Sequence, residues 1–160
     1  MQVKAIKRFE LVELQVNANT PGQFNFDTQA NLRNQPDQII YIQGIQVYPN
    51  TVYSNSQTSS AIPGVAVTEI PKAVLVLYVN DELSVYRIPL AQLINVQDNN
   101  NPSLFQQEIQ TFENLGNVAW DKSFVQFSVA PVGATYIIPF GITYIKMKRD
   151  PANPQAWIPA

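Results

Sequence analysis

Apolar side chains in this chain fall in short blocks separated by polar or Pro/Gly-containing turns, and the strongest block is Lys72–Leu90 (KAVLVLYVNDELSVYRIPL). Ala73 to Val79 is unbroken apolar, the polar pair Asn80-Asp81 follows, and a second β-branched run begins after it. β-Branched and aromatic residues suit a pleated surface and Asn-Asp suits a tight turn, so this stretch predicts a hairpin. A strand with one wet face alternates. Ala73–Val79 instead offers apolar side chains to both faces. It either lies within a two-layer core or has its outer face covered by another element or another subunit.

The same reading, taken in chain order, predicts a long first strand over Val3–Val16, with Lys7–Leu14 also readable as a helix. Phe9, Leu11 and Glu13 fall on one side of that strand and Val12, Leu14 and Val16 on the other. Gln23–Phe26 is a short strand, and Gln38–Tyr48 (QIIYIQGIQVY) is a clear one with Gly44 as a bulge. Pro49–Pro63 is an exposed Ser/Thr/Asn loop, Val65–Ile70 a short strand, and Ala91–Val96 a strand or one helical turn. Ser103–Leu115 is predicted as the one helix. Ser103 caps it, Leu104, Phe105, Ile109, Phe112 and Leu115 recur near helical spacing, and Gly116 closes it. Ser123–Ala130, Ala134–Ile138 and Ile142–Met147 are the last strands, split by Pro-Val-Gly and Pro-Phe-Gly. The pattern predicts an all-β fold: an antiparallel β-sandwich of jelly-roll type with about eight strands and one short helix. A single domain spans residues 1–149, followed by a Pro-rich C-terminal tail over 150–160.

Composition sharpens this picture. Charged residues make up 14% of the chain, about half the usual share, while 15 Asn and 16 Gln keep the exposed positions polar. Such a surface carries little net field and suits contact with copies of itself. A net charge of −2 argues against steering onto nucleic acid as a property of the whole protein. With no Cys there is no disulfide framework or thiolate metal site, and with no His the commonest general base and metal ligand is missing. The start, MQVKAIKRFELVEL, has charges through what would be the apolar part of a signal peptide. The uncharged stretch Val129–Ile145 is too short and too broken by Pro and Gly to span a bilayer. No Asn sits in a usable glycosylation sequon, because Asn101-Pro102-Ser103 has Pro in the middle.

Catalytic chemistry finds little support. Asp81-Glu82 sit at a hairpin tip, Glu10 and Glu13 face opposite sides of a strand, and no Ser-x-x-Lys or Gly-x-Ser-x-Gly occurs. Asp98–Asn101 has too few carboxylates for a calcium loop. No catalytic, cofactor or metal site is therefore assigned, and the chain is read as a non-enzyme without a small-molecule substrate. The basic residues, by contrast, are clustered. Lys4, Lys7 and Arg8 lie near one end of the chain and Lys146, Lys148 and Arg149 near the other. If the first and last strands pair antiparallel, both clusters meet at one end of the sandwich, facing a partner's carboxylates, lipid headgroups or packaged nucleic acid, or guarding an edge. Trp157 and Ile158 in the tail (PANPQAWIPA) are costly to leave in water and predict an anchor, either on the chain's own sandwich or in a neighbour. Tyr48 and Tyr53 flank a polar loop and form a candidate sugar-stacking platform.

The order of these segments resembles a known class. QIIYIQGIQVY, then KAVLVLYVNDELSVYRIPLAQL, a helix, NVAWDKSFVQFSV and a closing GITYIKMK are similar to virion proteins of tailless icosahedral bacteriophages, in particular the single jelly-roll capsid or penton (vertex) proteins of membrane-containing phages. The resemblance implies a structural virion protein in the capsid. It implies a cyclic homo-oligomer, a homopentamer, set among major capsid protein subunits, with its basic ends toward an internal membrane or genome. It carries no catalytic residues. A carbohydrate- or receptor-binding β-sandwich module, a virion spike or lectin-like head, is the alternative.

Overall fold

The computed structural model describes residues 5–49, 62–79, 84–94, 110–116 and 118–160. Nine strands run through them: β1 (Arg8–Val16), β2 (Gly22–Asn25), β3 (Gln38–Val47), β4 (Ala73–Val79), β5 (Ser84–Pro89), β6 (Gln110–Gly116), β7 (Phe124–Phe127), β8 (Tyr136–Asp150) and β9 (Asn153–Pro159). One sheet has the order β1-β8-β3-β6, with β9 added to β8, and the other β2-β7-β4-β5. Each of these strand pairings is antiparallel. Within the sheets β1 lies beside β8, β2 beside β7, β3 beside β6 and β4 beside β5. That is one long antiparallel ribbon rolled over on itself, the jelly roll. The all-β sandwich legible in the hydrophobic pattern is the fold observed.

Period-two alternation fixes which side chains fill it. Val12, Leu14 and Val16 of β1, Ala73, Leu75, Leu77 and Val79 of β4, and Tyr136, Ile138, Phe140, Ile142 and Tyr144 of β8 all join one buried cluster. Each large aliphatic side chain removed from water in this way contributes about 1.5–3 kcal/mol. The pairing of β3 slips between Ile42 and Gly44 against both of its neighbours, which is the bulge its glycine suggests. The extra residue switches parity, so that Ile40 and Ile42 before it and Ile45 and Val47 after it all enter the core. Phe26 stands edge-on to Trp120 and to Phe140, 5.4 Å between centroids in both cases, and so links the two sheets.

On the apolar second face of β4, Val74 and Tyr78 are half-buried on either side of Val76. Val76 is fully buried, in register between Phe124 of β7 and Arg87 of β5. Val79 stands opposite Ser84, as a hairpin requires, while the Asn80-Asp81 turn itself lies outside the described residues.

Four local expectations need correction. Ala134–Ile138 and Ile142–Met147 are not separate strands; Pro139-Phe140-Gly141 lies inside the continuous β8. Proline is tolerated because β3 ends its pairing at Val47 opposite Phe140, so the missing N–H falls where the ladder runs out. Tyr48 still donates its N–H to the Pro139 carbonyl at 3.1 Å. The helix expected over Ser103–Leu115 is also not there in its described part. Residues 103–109 lie outside the description, and Gln110–Gly116 is strand β6 against β3. The open backbone edge of β3 supplies hydrogen-bond partners that outweigh a weak helical period. Among the described residues the helical elements are three short 3-10 turns, Ala30–Leu32, Ile70–Lys72 and Leu90–Leu93.

Val65–Ile70 is no regular strand. Val65 N–H reaches the Ile137 carbonyl and Ile137 N–H reaches that of Pro63, after which the chain turns into the 3-10 element. Finally, residues 150–160 do not follow the domain as a separate tail: they turn at Pro151-Ala152 and return as β9 along β8, which places Trp157 and Ile158 on the chain's own sheet. No helix among the described residues is long and apolar enough to cross a membrane.

Two buried polar groups fasten the connections. The Ser123 hydroxyl accepts the Tyr78 N–H at 3.1 Å and donates to the Ala119 carbonyl at 2.8 Å, while Ala119 N–H reaches the Tyr78 carbonyl at 2.8 Å. Glu69, also buried, accepts from Lys72 Nζ at 3.0 and 3.1 Å and from Val132 N–H at 3.2 Å. Ser123→Ala should therefore lower unfolding stability by about 1–3 kcal/mol, because it leaves the Tyr78 N–H without its acceptor, while the Ala119 carbonyl keeps the Ser123 and Lys122 N–H groups. Urea denaturation measures this, with an unchanged m-value expected.

Candidate functional site

The length of β8 organises the most distinctive surface. At fifteen residues it far exceeds the four of β7 in the opposite sheet. β1 pairs with it from Tyr136 to Tyr144, β3 from Phe140 to Lys148, and β9 takes its end from Met147 to Asp150. On the inward face the apolar row stops at Tyr144, and Lys146 and Lys148 come next. This change of character marks the end of the core and the start of a basic end.

The antiparallel pairing of the first jelly-roll strand with the eighth does bring the two basic clusters together. Arg8 stands opposite Tyr144, so Lys7 and Arg8 adjoin the Lys146–Arg149 segment. Lys7, Arg8, Lys148 and Arg149 are exposed and Lys146 half-buried; Lys4 lies outside the described residues. Arg8 Nη2 donates to the Ala160 carbonyl at 3.4 Å, and Ala160 N–H donates to that of Lys146 at 3.0 Å. Arg149 is held from three sides: Nη1 donates to the Pro154 carbonyl at 2.8 Å, Nε lies 3.8 Å from Asp37, and the guanidinium sits 4.8 Å from the centre of the Trp157 ring. The exposed ion pair contributes about 0–1 kcal/mol, so the stack and the carbonyl bond do more to fix the arginine. Trp157 and Ile158 thus sit on β9, half-buried, opposite Arg149 and Lys148.

Beside the basic end, the outer face of this sheet is unusually apolar. Phe9 is 57% exposed, and Leu11, Tyr41, Ile145 and Met147 are half-buried. Gly141 shapes its centre. A Cβ there would lie 2.6 Å from Tyr48 Cε2 and 2.8 Å from Phe9 Cε2, so the two rings close over bare backbone. The Tyr48 hydroxyl donates to Gln46 Oε1 at 2.7 Å. Tyr48 is therefore part of this face, and Tyr53, the other member of the candidate sugar platform, lies outside the described residues. Sequence reasoning missed the Phe9–Tyr48 pair. The available signal was Phe9 on the side of β1 opposite Val12, together with a glycine inside an apolar block.

Comparison with family models, curated proteins and solved structures finds no match for this chain. The functional reading thus rests on its own surfaces.

Carboxylates contribute little. No group of three or more potential metal ligands comes together among the described residues. Glu13 and Asp27 line one small recess of about 260 Å³ with Gln15 and Asn25, and burial pushes the Glu13 carboxyl above its ordinary value. A raised folded-state pKa means that ionised Glu13 costs stability at neutral pH and that the cost vanishes once the carboxyl is protonated in both states. Glu13→Gln should accordingly stabilise the fold at pH 7 and have no effect near pH 3, as read by denaturation midpoints at the two pH values.

Proposed function

We propose that this protein is a structural building block of a virion shell, a capsid or vertex (penton) subunit that assembles with copies of itself. The observation that carries this reading is the partly exposed apolar outer face of the long sheet, running from Phe9 over Gly141 to β9 and continuous with the basic end. A solitary soluble molecule gains nothing from presenting aromatic and aliphatic side chains in one contiguous field, whereas a symmetric interface buries them. The low charge and the high amide content fit the same role, since charged residues are depleted from interface cores.

In this reading the work done is assembly. Phe9, Tyr48 and Trp157 form the apolar contact, and Lys7, Arg8, Lys146, Lys148 and Arg149 meet an acidic surface on the particle: a neighbouring major capsid protein, a headgroup layer or the genome. Cyclic association, with five copies at a vertex, is the arrangement proposed. No catalytic step is involved.

Light scattering coupled to size-exclusion chromatography tests this directly. The chain should elute as a closed oligomer at tens of micromolar, roughly the strength expected of a modest interface. Phe9→Ser combined with Trp157→Ala should shift it to monomer with circular dichroism unchanged. A parent chain that stays monomeric throughout that range would contradict the proposal.

A further inference from the structure

The first strand stops pairing sooner than its sequence predicts. The hydrophobic pattern carries a strand from Val3, yet β1 begins at Arg8, opposite Tyr144. β3 lies along one side of β8 as far as Lys148, so β1 and β9 share the other side, end to end. β9 takes Met147 to Asp150, and beyond it Ala160 N–H donates to the Lys146 carbonyl at 3.0 Å. Continued one residue for one, the β1 register carries Lys7 to Ile145, Ile6 to Lys146 and Ala5 to Met147. Ile6 N–H and Ala160 N–H therefore claim one acceptor, and Ala5 claims the place that Pro159 holds opposite Met147. One strand edge offers each position to one partner strand, so the two segments exclude each other there.

We propose that this shared edge is a two-position latch, closed either by β9, as seen here, or by Ala5–Lys7 extending β1. Two further observations support the second position. Ile6 is 66% exposed, more than any other large apolar side chain described. Opposite Lys146 it would continue the inward row of β1 beyond Arg8 and lie next to Tyr144, out of water. β9, for its part, is lightly held. Its pairing slips between Arg149 and Asp150, and none of its side chains joins the core cluster. The Arg149–Trp157 stack and the Arg149 bond to the Pro154 carbonyl keep it in the position seen. The exchange hides Ile6 and frees Trp157 and Ile158, so β9 is the resting closure and a partner that holds the freed strand shifts the balance. Release also takes Trp157 away from the outer apolar face. That consequence for association rests on the assembly reading, whereas the exchange itself does not.

Residue-resolved hydrogen exchange on the full chain, well below the concentration at which copies associate, tests the latch apart from assembly. Ile158 shares the parity of Ala160, so Ile158→Pro removes a β9 N–H that points at β8. In the parent, Ile6 should exchange as an open amide while Ala160 is protected. In Ile158→Pro the order should reverse, with Ile6 slowed by about tenfold, as one added ladder hydrogen bond gives, and Ala160 open. A second variant leaves the sequence of β9 intact. The chain has no cysteine, so Ala5→Cys with Met147→Cys allows a single intramolecular disulfide, across the exchanged pairing. Closing it should make Trp157 accessible to acrylamide quenching, to which Trp120, only 4% exposed, adds little. The latch is overturned if Ile6 stays open in Ile158→Pro while Val12 and Leu14 keep the parent's protection. It is equally overturned if the disulfide fails to form, or forms with Trp157 no more accessible than in the parent.

Discussion

The antiparallel register between β1 and β8 is the constraint on which the rest of this structure depends. It joins the first strand of the jelly roll to the eighth, and its parity sends Val12, Leu14 and Val16 inward against Phe140, Ile138 and Tyr136. A slip of one residue would turn those side chains out and bring Leu11, Glu13 and Gln15 in. The same register decides what lies outside. Phe9 is carried to Thr143, next to the bare backbone of Gly141, and Arg8 is carried to the edge of the Lys146–Arg149 segment. Core, apolar outer face and basic end are thus three consequences of one pairing.

β8 transmits that constraint across the sheet because it is paired on both sides. β3 follows it from Phe140 to Lys148, and the bulge at Ile42–Gly44 lets β3 contribute inward aliphatics on both sides of the parity change. β9 then uses the stretch that β1 leaves open, which places Trp157 under Arg149 and closes the sheet's end with a strand. An edge of this kind would otherwise expose unpaired backbone groups and invite unspecific pairing.

Much of this was legible in the chain itself. The unbroken Ala73–Val79 run marked a strand buried on both faces, and Val76 and Leu77 are indeed fully buried on opposite sides of β4. Gly44 marked the bulge. What could not be read was set by partners distant in sequence. Pro139-Phe140-Gly141 has the composition of a turn, and only the end of β3 opposite Phe140 makes a proline acceptable within a strand. Gln110–Gly116 has a helical period but lies on the open edge of β3. Residues 150–160 look like a loose tail because prolines hide the pairing that β8 offers them. The candidate surfaces divide in the same way: the basic residues were visible, whereas the Phe9–Tyr48 pair over Gly141 needed the fold.

If the outer face of the long sheet exists to be covered by other copies, its side chains must lose solvent as copies accumulate. Hydroxyl-radical footprinting across a dilution series reads this residue by residue. The account predicts that Phe9 and Trp157 become protected as concentration rises, while Val129 and Val132, exposed elsewhere on the molecule, stay reactive throughout. Equal labelling of Phe9 and Trp157 at every concentration would contradict it.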